Sequence, residues 1–240
     1  MLTLDLAPID AHGIYATPTG LLRGEGRLHP EAVVALRAVE GFDSFIFSGL
    51  FRTAEQSLVA MRSKVGVQPP GYSAHNFGLA VDIALDDYDV PGTEHRGLPS
   101  KPGTLTRLGI QYGELLARMA AQGWHCHRRD RRVGGEAWHF NWLGSYATEA
   151  LAMTLEVNPR TWEAAAEFVI WRRYGAWLVL NTVDVQTALQ HLHLYKGDLD
   201  GQFGPRSREA LAAFQRAWQL PDTGLPDARS QRVLAVVAAS

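Results

Sequence analysis

Apolar residues recur with a helical period in some stretches of this chain and with a strand period in others. Over Pro30–Glu40, Val33, Val34, Leu36 and Val39 are separated by polar residues behind a turn-forming His29-Pro30, which predicts a helix. Phe45-Ile46-Phe47 predicts a short strand. Thr53–Ser63 returns to helical spacing with Leu58, Val59 and Met61, until Gly66, Pro69, Pro70 and Gly71 break it. Leu79–Leu85 alternates and is rich in strand formers. Asp86–Gly103 is dense in Pro, Gly and Asp and predicts a loop, and Leu105–Gln122 predicts a second clear amphipathic helix. Helices packed on short strands predict an α+β domain, a small antiparallel sheet with flanking helices, over 1–150. From Ser145 to about Leu180 the composition turns Ala- and Trp-rich with a break at Asn158-Pro159, predicting a helical connector over 151–180. Val183–Leu194, Pro205–Trp218 and Pro226–Val237 then predict a compact all-α module over 181–240.

Composition narrows the options. A chain of 240 residues, 46% hydrophobic, is long enough for one large domain or a domain with a small module, each with a proper core. A net charge of −2 gives no basic surface that would neutralise many phosphates, so nucleic acid is not an expected partner. Cys126 is the one cysteine, which excludes an intrachain disulfide and a thiolate-rich metal site. Any metal must be held by His and carboxylates. Met1–Tyr15 carries Asp5 and Asp10 and no basic n-region, so no secretory signal is expected. The apolar stretches Ala176–Leu180 and Val233–Ala239 fall far short of the ~20 residues that span a bilayer. The expectation is therefore a chain made in the cytoplasm, without membrane insertion, and nothing in the sequence demands more than a monomer. Within 181–240 six Lys and Arg meet six Asp and Glu, so that module is expected to recognise its ligand by shape and hydrogen bonds.

The chemistry concentrates in three segments. In Ser73-Ala-His-Asn-Phe-Gly-Leu-Ala-Val-Asp82, a strand would put Ala80, Asp82 and Ala84 on one face, with the alanines leaving room beside the carboxylate for a metal. Gly78 permits the bend that brings His75 to Asp82. The second segment, Gly134-Gly-Glu-Ala-Trp-His-Phe-Asn-Trp142, offers His139 as a third ligand, Glu136 as a nearby carboxylate, and an aromatic wall of Trp138, Phe140 and Trp142. Two histidines and one carboxylate leave a tetrahedral Zn2+ with an open position, as catalytic sites require, and Glu136 is then free to act as a base. In the third, Ser48-Gly-Leu-Phe-Arg-Thr-Ala-Glu-Gln56, a strand end turning into a helix would aim Arg52 into a site, with Gln56 one helical turn on.

Together these three segments resemble the zinc peptidases of the D-alanyl-D-alanine carboxypeptidase and L-alanyl-D-glutamate endopeptidase family, over roughly residues 20–145. The resemblance implies zinc ligands His75, Asp82 and His139, general base Glu136, Arg52 stabilising the transition state and Ser73 orienting substrate. The C-terminal module resembles the three-helix peptidoglycan-binding domain through Val185-Gln-x-Ala-Leu-Gln190, Gly197-x-Leu-Asp-Gly-x-Phe-Gly204, Ala210-Leu-x-x-Phe-Gln215 and Leu220-x-Asp-x-Gly224. The two resemblances imply a bacterial peptidoglycan hydrolase with a wall tether, which raises local substrate concentration. A wall hydrolase without an export signal fits a phage endolysin that acts on the wall after release. The wording around His75 is closer to the endopeptidases, and Glu-Ala-Trp-His-Phe is closer to D-alanyl-D-alanine carboxypeptidases of bacterial wall remodelling. Because a lytic role requires cutting cross-linked wall, the L-alanyl-D-glutamate endopeptidase is the expectation and the carboxypeptidase the alternative.

Other features have plainer readings. His125-Cys126-His127 could bind metal but reads better as a polar strand edge, and Arg128, Arg129, Arg131 and Arg132 as a solvated turn. Asp86, Asp87 and Asp89 read as an acidic loop, and Trp162, Trp171 and Trp177 as core rather than sugar platforms. Two rival functions stand beside the peptidase: a non-heme Fe(II) oxygenase built on the same ligands, and a wall-binding protein without catalysis.

Overall fold

The computed structural model describes residues 3–9, 25–45, 47–63, 68–83, 106, 109–126, 138–144 and 161–240. The chain divides into two compact units that cross its linear order. One comprises Met1–Leu4, Thr53–Asn76 and Trp171–Ser240, the other Asp5–Arg52 and Phe77–Ile170. The predicted loop at 86–103 lies outside the described residues.

In the second of these units, strand β1 (Ala7–Pro8) pairs antiparallel with β2 (Arg27–Leu28). Helix α1 (Pro30–Arg37) follows at once. Proline at its first turn has no N–H to leave unbonded, and Glu31 and Arg37 sit at the ends whose partial charges they complement. Ala32, Val33 and Leu36 are buried while Val34 is exposed, because a 100° step per residue turns Val34 away from the stripe the others share. The main sheet is antiparallel, with β3 (Phe47–Gly49), β4 (Ala80–Ile83), β5 (Trp124–His125) and β6 (His139–Trp142) in the order β3-β4-β6-β5. The central strands β4 and β6 are buried at every position. Fully buried Leu28, Leu36, Phe77, Ile83, Leu115, Trp124 and Phe140 form the core around them.

Two predicted elements are displaced. Phe45 is buried but caps the 3-10 turn Phe42–Ser44, and the strand begins at Phe47, so an aromatic run that reads as one strand is divided between a turn and β3. Helix α3 spans Tyr112–Ala121, shorter than the predicted 105–122. Gly109 takes φ +73° inside a turn closed by Thr106 N donating to Ile110 O at 2.8 Å, and Gln111 is extended. Apolar spacing runs through this turn, but the left-handed backbone cannot continue a helix.

The other unit holds α2 (Ala54–Ser63), the end of α4 (Thr161–Leu178), and α5 (Thr182–His191), α6 (Pro205–Ala217) and α7 (Ala228–Ala239). Thr53 and Gln56 close a capping box on α2: Thr53 N donates to Gln56 Oε1 at 3.0 Å and Gln56 N donates to Thr53 Oγ1 at 3.2 Å. Asn181 and Asp184 make the same reciprocal pair on α5, and Asp227 caps α7 by accepting from Ser230 N at 3.0 Å. The three C-terminal helices fall where the periodicity places them.

Two buried glutamines lock the turns between these helices. Gln186, on α5, donates to Asp200 Oδ1 at 2.9 Å and accepts from Gly201 N at 3.0 Å. Gln215, on α6, donates to Ser230 Oγ at 2.9 Å and accepts from Thr223 N at 3.0 Å and Gly224 N at 2.8 Å. Each amide thus satisfies backbone groups that no helix or strand reaches, so the turns are as determined as the helices. Trp171 is 62% exposed, against the expectation of core. Its indole lies along the bare Cα of Gly175, one turn on, which gives the ring a contact on its own helix without burying it. Trp177 is half-buried, and the side chain of Trp162 lies outside the described residues.

Candidate functional site

The register of the central strands assembles the site. On β4 and β6, Asp82 pairs with His139, Val81 with Phe140 and Ala80 with Asn141. Alternation sends Asp82, His139 and Asn141 to one face. It sends Phe140 and Trp142 to the other, where Trp142 stacks on His29 at 6.2 Å and packs against Trp124 at 6.5 Å. These two aromatics are therefore core, a correction to the expected aromatic wall. Trp138 precedes β6, is half-buried, and its carbonyl accepts from Ile83 N at 3.0 Å.

His75 lies on the 3-10 turn Ala74–Phe77, which runs on into β4. Between them Gly78 adopts φ +65°, and its carbonyl accepts from His29 N at 2.9 Å. A Cβ at Gly78 would also stand 2.7 Å from Leu6 Cδ2, so the predicted need for glycine is met by both backbone angle and space. His75, Asp82 and His139 each offer one ligand atom, and the three atoms lie within 4.8 Å of one another. All three residues are close to fully buried, at 3%, 5% and 9% exposure.

The surroundings suit a cation. His139 Nδ1 is 2.8 Å from Asp82 Oδ1, and His139 Nε2 is 3.0 Å from Asn141 Oδ1. Both ring nitrogens thus face oxygens that accept hydrogen bonds. A neutral ring has one N–H; given to Asn141, it leaves the Nδ1 lone pair facing the carboxylate, an arrangement that a shared metal ion satisfies. Burying a carboxylate is costly without such compensation. A donor set of two imidazoles and one carboxylate can hold a divalent metal ion.

Two residues beyond the expected set make this geometry possible. Gly49 pairs with Asp82 across β3 and β4, where the register shifts between Phe47 and Gly49, and a Cβ at position 49 would collide with the Asp82 carboxylate. Asn141 orients His139. Gly49 stands beside Arg52 in the sequence pattern, but its purpose depends on a cross-strand neighbour 33 positions away.

Other expected site residues are placed as follows. Arg52 follows Phe51, whose backbone bridges to Glu25, and is half-exposed at the entry to α2. Gln56 turns its side-chain oxygen back to Thr53 in the capping box. Ser73 is half-buried, its carbonyl accepting from Asn76 N at 3.0 Å. Glu136 lies outside the described residues, as do His127, the arginines 128–132 and the acidic residues 86–89. His125 sits on β5, at the edge of the sheet, as a polar strand edge would.

No helix among the described residues is long and apolar enough to cross a membrane. Residues 181–234 match the family described as "Putative peptidoglycan binding domain". The chain is also similar to the "Putative OxPP cycle protein OpcA" of Synechococcus elongatus, with 40% identity over 57 residues, 24% of this chain. It spans 13% of that relative's length. The match supports a C-terminal peptidoglycan-binding module, and the same chain carries a buried His-Asp-His group that could hold a metal ion.

Proposed function

We propose that this protein is a zinc-dependent peptidoglycan hydrolase that cuts an amide bond of the stem peptide. The observation that carries the reading is the buried triad of His75, Asp82 and His139 in a chain that also has a peptidoglycan-binding module. In this reading 1–150 is catalytic, 151–180 connects, and 181–240 holds the enzyme on its polymer. The resemblance around His75 favours the bond between L-alanine and D-glutamate, a cut in the cross-linked wall that suits a lytic, endolysin-like role.

When bound, zinc supplies Lewis acidity and a water of lowered pKa. The chain's own residues do the rest. Glu136 takes a proton from the attacking water and passes it to the leaving amine, which returns the carboxylate to its starting state. Arg52 holds negative charge as it develops on the scissile carbonyl. Asn141 keeps the His139 ring in one orientation throughout.

The test is release of new amino groups from purified peptidoglycan by the full chain and by Glu136→Ala. The variant is expected to sediment with the wall as the parent does and to release nothing. Equal release by both would remove Glu136 from the mechanism, and no release by the parent from several wall types would leave a binding protein.

A further inference from the structure

The last helix of the peptidoglycan-binding module reaches the loop that carries His75. Helix α7 packs against α2 within one compact unit. From α7, Arg232 Nε donates to the Gly71 carbonyl, and the guanidinium carbon lies 4.2 Å from the centroid of the Tyr72 ring. Cation–π contact and a charge-assisted hydrogen bond are each stronger in such a half-buried setting than in open water. Gly71 has φ +83°, and a Cβ there would stand 3.2 Å from both Arg232 Cγ and the Arg232 carbonyl oxygen. Glycine is required for this approach.

From Gly71 the linkage runs inward. Gly71 N donates to Asn76 Oδ1 at 3.1 Å, and Asn76 Nδ2 donates to Ser57 Oγ on α2 at 2.8 Å. Asn76 and Ser57 are both fully buried. Asn76 neighbours His75 on the turn Ala74–Phe77, so both ends of the 71–76 loop are fixed by side chains that approach from helices.

We propose that Arg232 is a positioning residue for His75, so that the peptidoglycan-binding module forms part of the frame of the metal centre as well as a tether. This rests on the metal-dependent reading above. A tether could be removed without altering affinity for the ion, whereas a frame could not.

The experiment measures zinc affinity of the full chain by competition with a chromophoric chelator, and the visible spectrum of the cobalt-substituted protein. Parent, Arg232→Ala, Arg232→Lys and Gly71→Ala are compared, with far-UV circular dichroism to establish folding. Arg232→Ala is expected to weaken zinc binding about 10-fold, the lower range for partners that orient a ligand, and to alter the cobalt spectrum. Arg232→Lys should recover part of the loss, since it keeps a cation for Tyr72. Gly71→Ala, which perturbs the same contact from the other side, should weaken binding if Arg232→Ala does not fold. Parent affinity and spectrum in folded Arg232→Ala would overturn the proposal. A parent that binds no zinc overturns it together with the reading it rests on. A parent that binds zinc but cuts no wall fails only the peptidase reading, and the variant affinities still decide the role of Arg232.

Discussion

Asp82 and His139 stand directly opposite each other on neighbouring antiparallel strands, with Asp82 Oδ1 2.8 Å from His139 Nδ1. Two residues 57 positions apart are thereby fixed by sheet register rather than by a loop. A pair held this way is set by the backbone hydrogen bonds along β4 and β6, which position side chains more precisely than a loop would.

Asn141 belongs to the same rigid strand and sets which ring nitrogen of His139 is turned to the carboxylate. Asn141→Ala is expected to weaken zinc binding about 10-fold, the effect typical of losing a partner that orients a ligand. Asp82→Ala should weaken it considerably more. Chelator competition measures both; equal losses would mean that Asn141 ligates or that Asp82 does not.

Gly49→Ala places a methyl group where the Asp82 carboxylate now lies. The strand or the carboxylate must shift, at a cost of about 1–3 kcal/mol of stability. Zinc affinity should fall with it. Denaturant unfolding and metal titration of one sample check this, and parent values in both would show that the space beside Asp82 is not needed.

Gln186 and Gln215 hold the turns of the peptidoglycan-binding module. Replacing either by Leu strands backbone and side-chain groups that now bond to the amide, each costing about 1–3 kcal/mol, so a loss of roughly 3 kcal/mol is expected for each variant. Binding to purified peptidoglycan should fall in parallel. A thermal melt with a sedimentation assay tests this, and unchanged melting would mean that the turns hold without their glutamines.

Acid should weaken that module in a narrow window. The Gln186 amide and the Gln202 N–H hold the Asp200 carboxyl below its ordinary value of 3.8. Burial pushes Asp227 upward, but the Ser230 N–H and hydroxyl outweigh it and leave it lowered too. A carboxyl lowered in the folded state stabilises above its unfolded pKa, and the contribution is lost as pH falls through the folded value. Melting temperature should therefore be flat above about pH 5 and decline below about pH 4. Asp227→Asn keeps an acceptor for the cap and should show a shallower decline. An identical acid profile for parent and variant would remove Asp227 from the account.

Much of this was legible before any coordinates. The terminal helices follow from apolar spacing, whereas their caps Asn181 and Asp227 emerge only in the structure, and the His75, Asp82 and His139 group follows from residue types and their separations. What the pattern hides depends on partners distant in sequence. The duty of Gly49 exists only because β3 lies beside β4, and that of Asn141 only because β6 alternates. Phe140 and Trp142 look like site walls until the pleat turns them into the core. The apolar period of the predicted helix runs through Ile110, but the left-handed backbone of Gly109 and the extended Gln111 hold the start of α3 at Tyr112.

The most direct test of the metallopeptidase reading is mass spectrometry of the fragments released from purified peptidoglycan, with and without a zinc chelator. The account predicts peptides with a new N-terminal D-glutamate and L-alanine left on the glycan, abolished by the chelator and restored by zinc. Loss of single D-alanine residues instead would make the enzyme a carboxypeptidase at the same centre. Release that persists in the chelator, or no release at all, would contradict the claim that His75, Asp82 and His139 hold a catalytic ion.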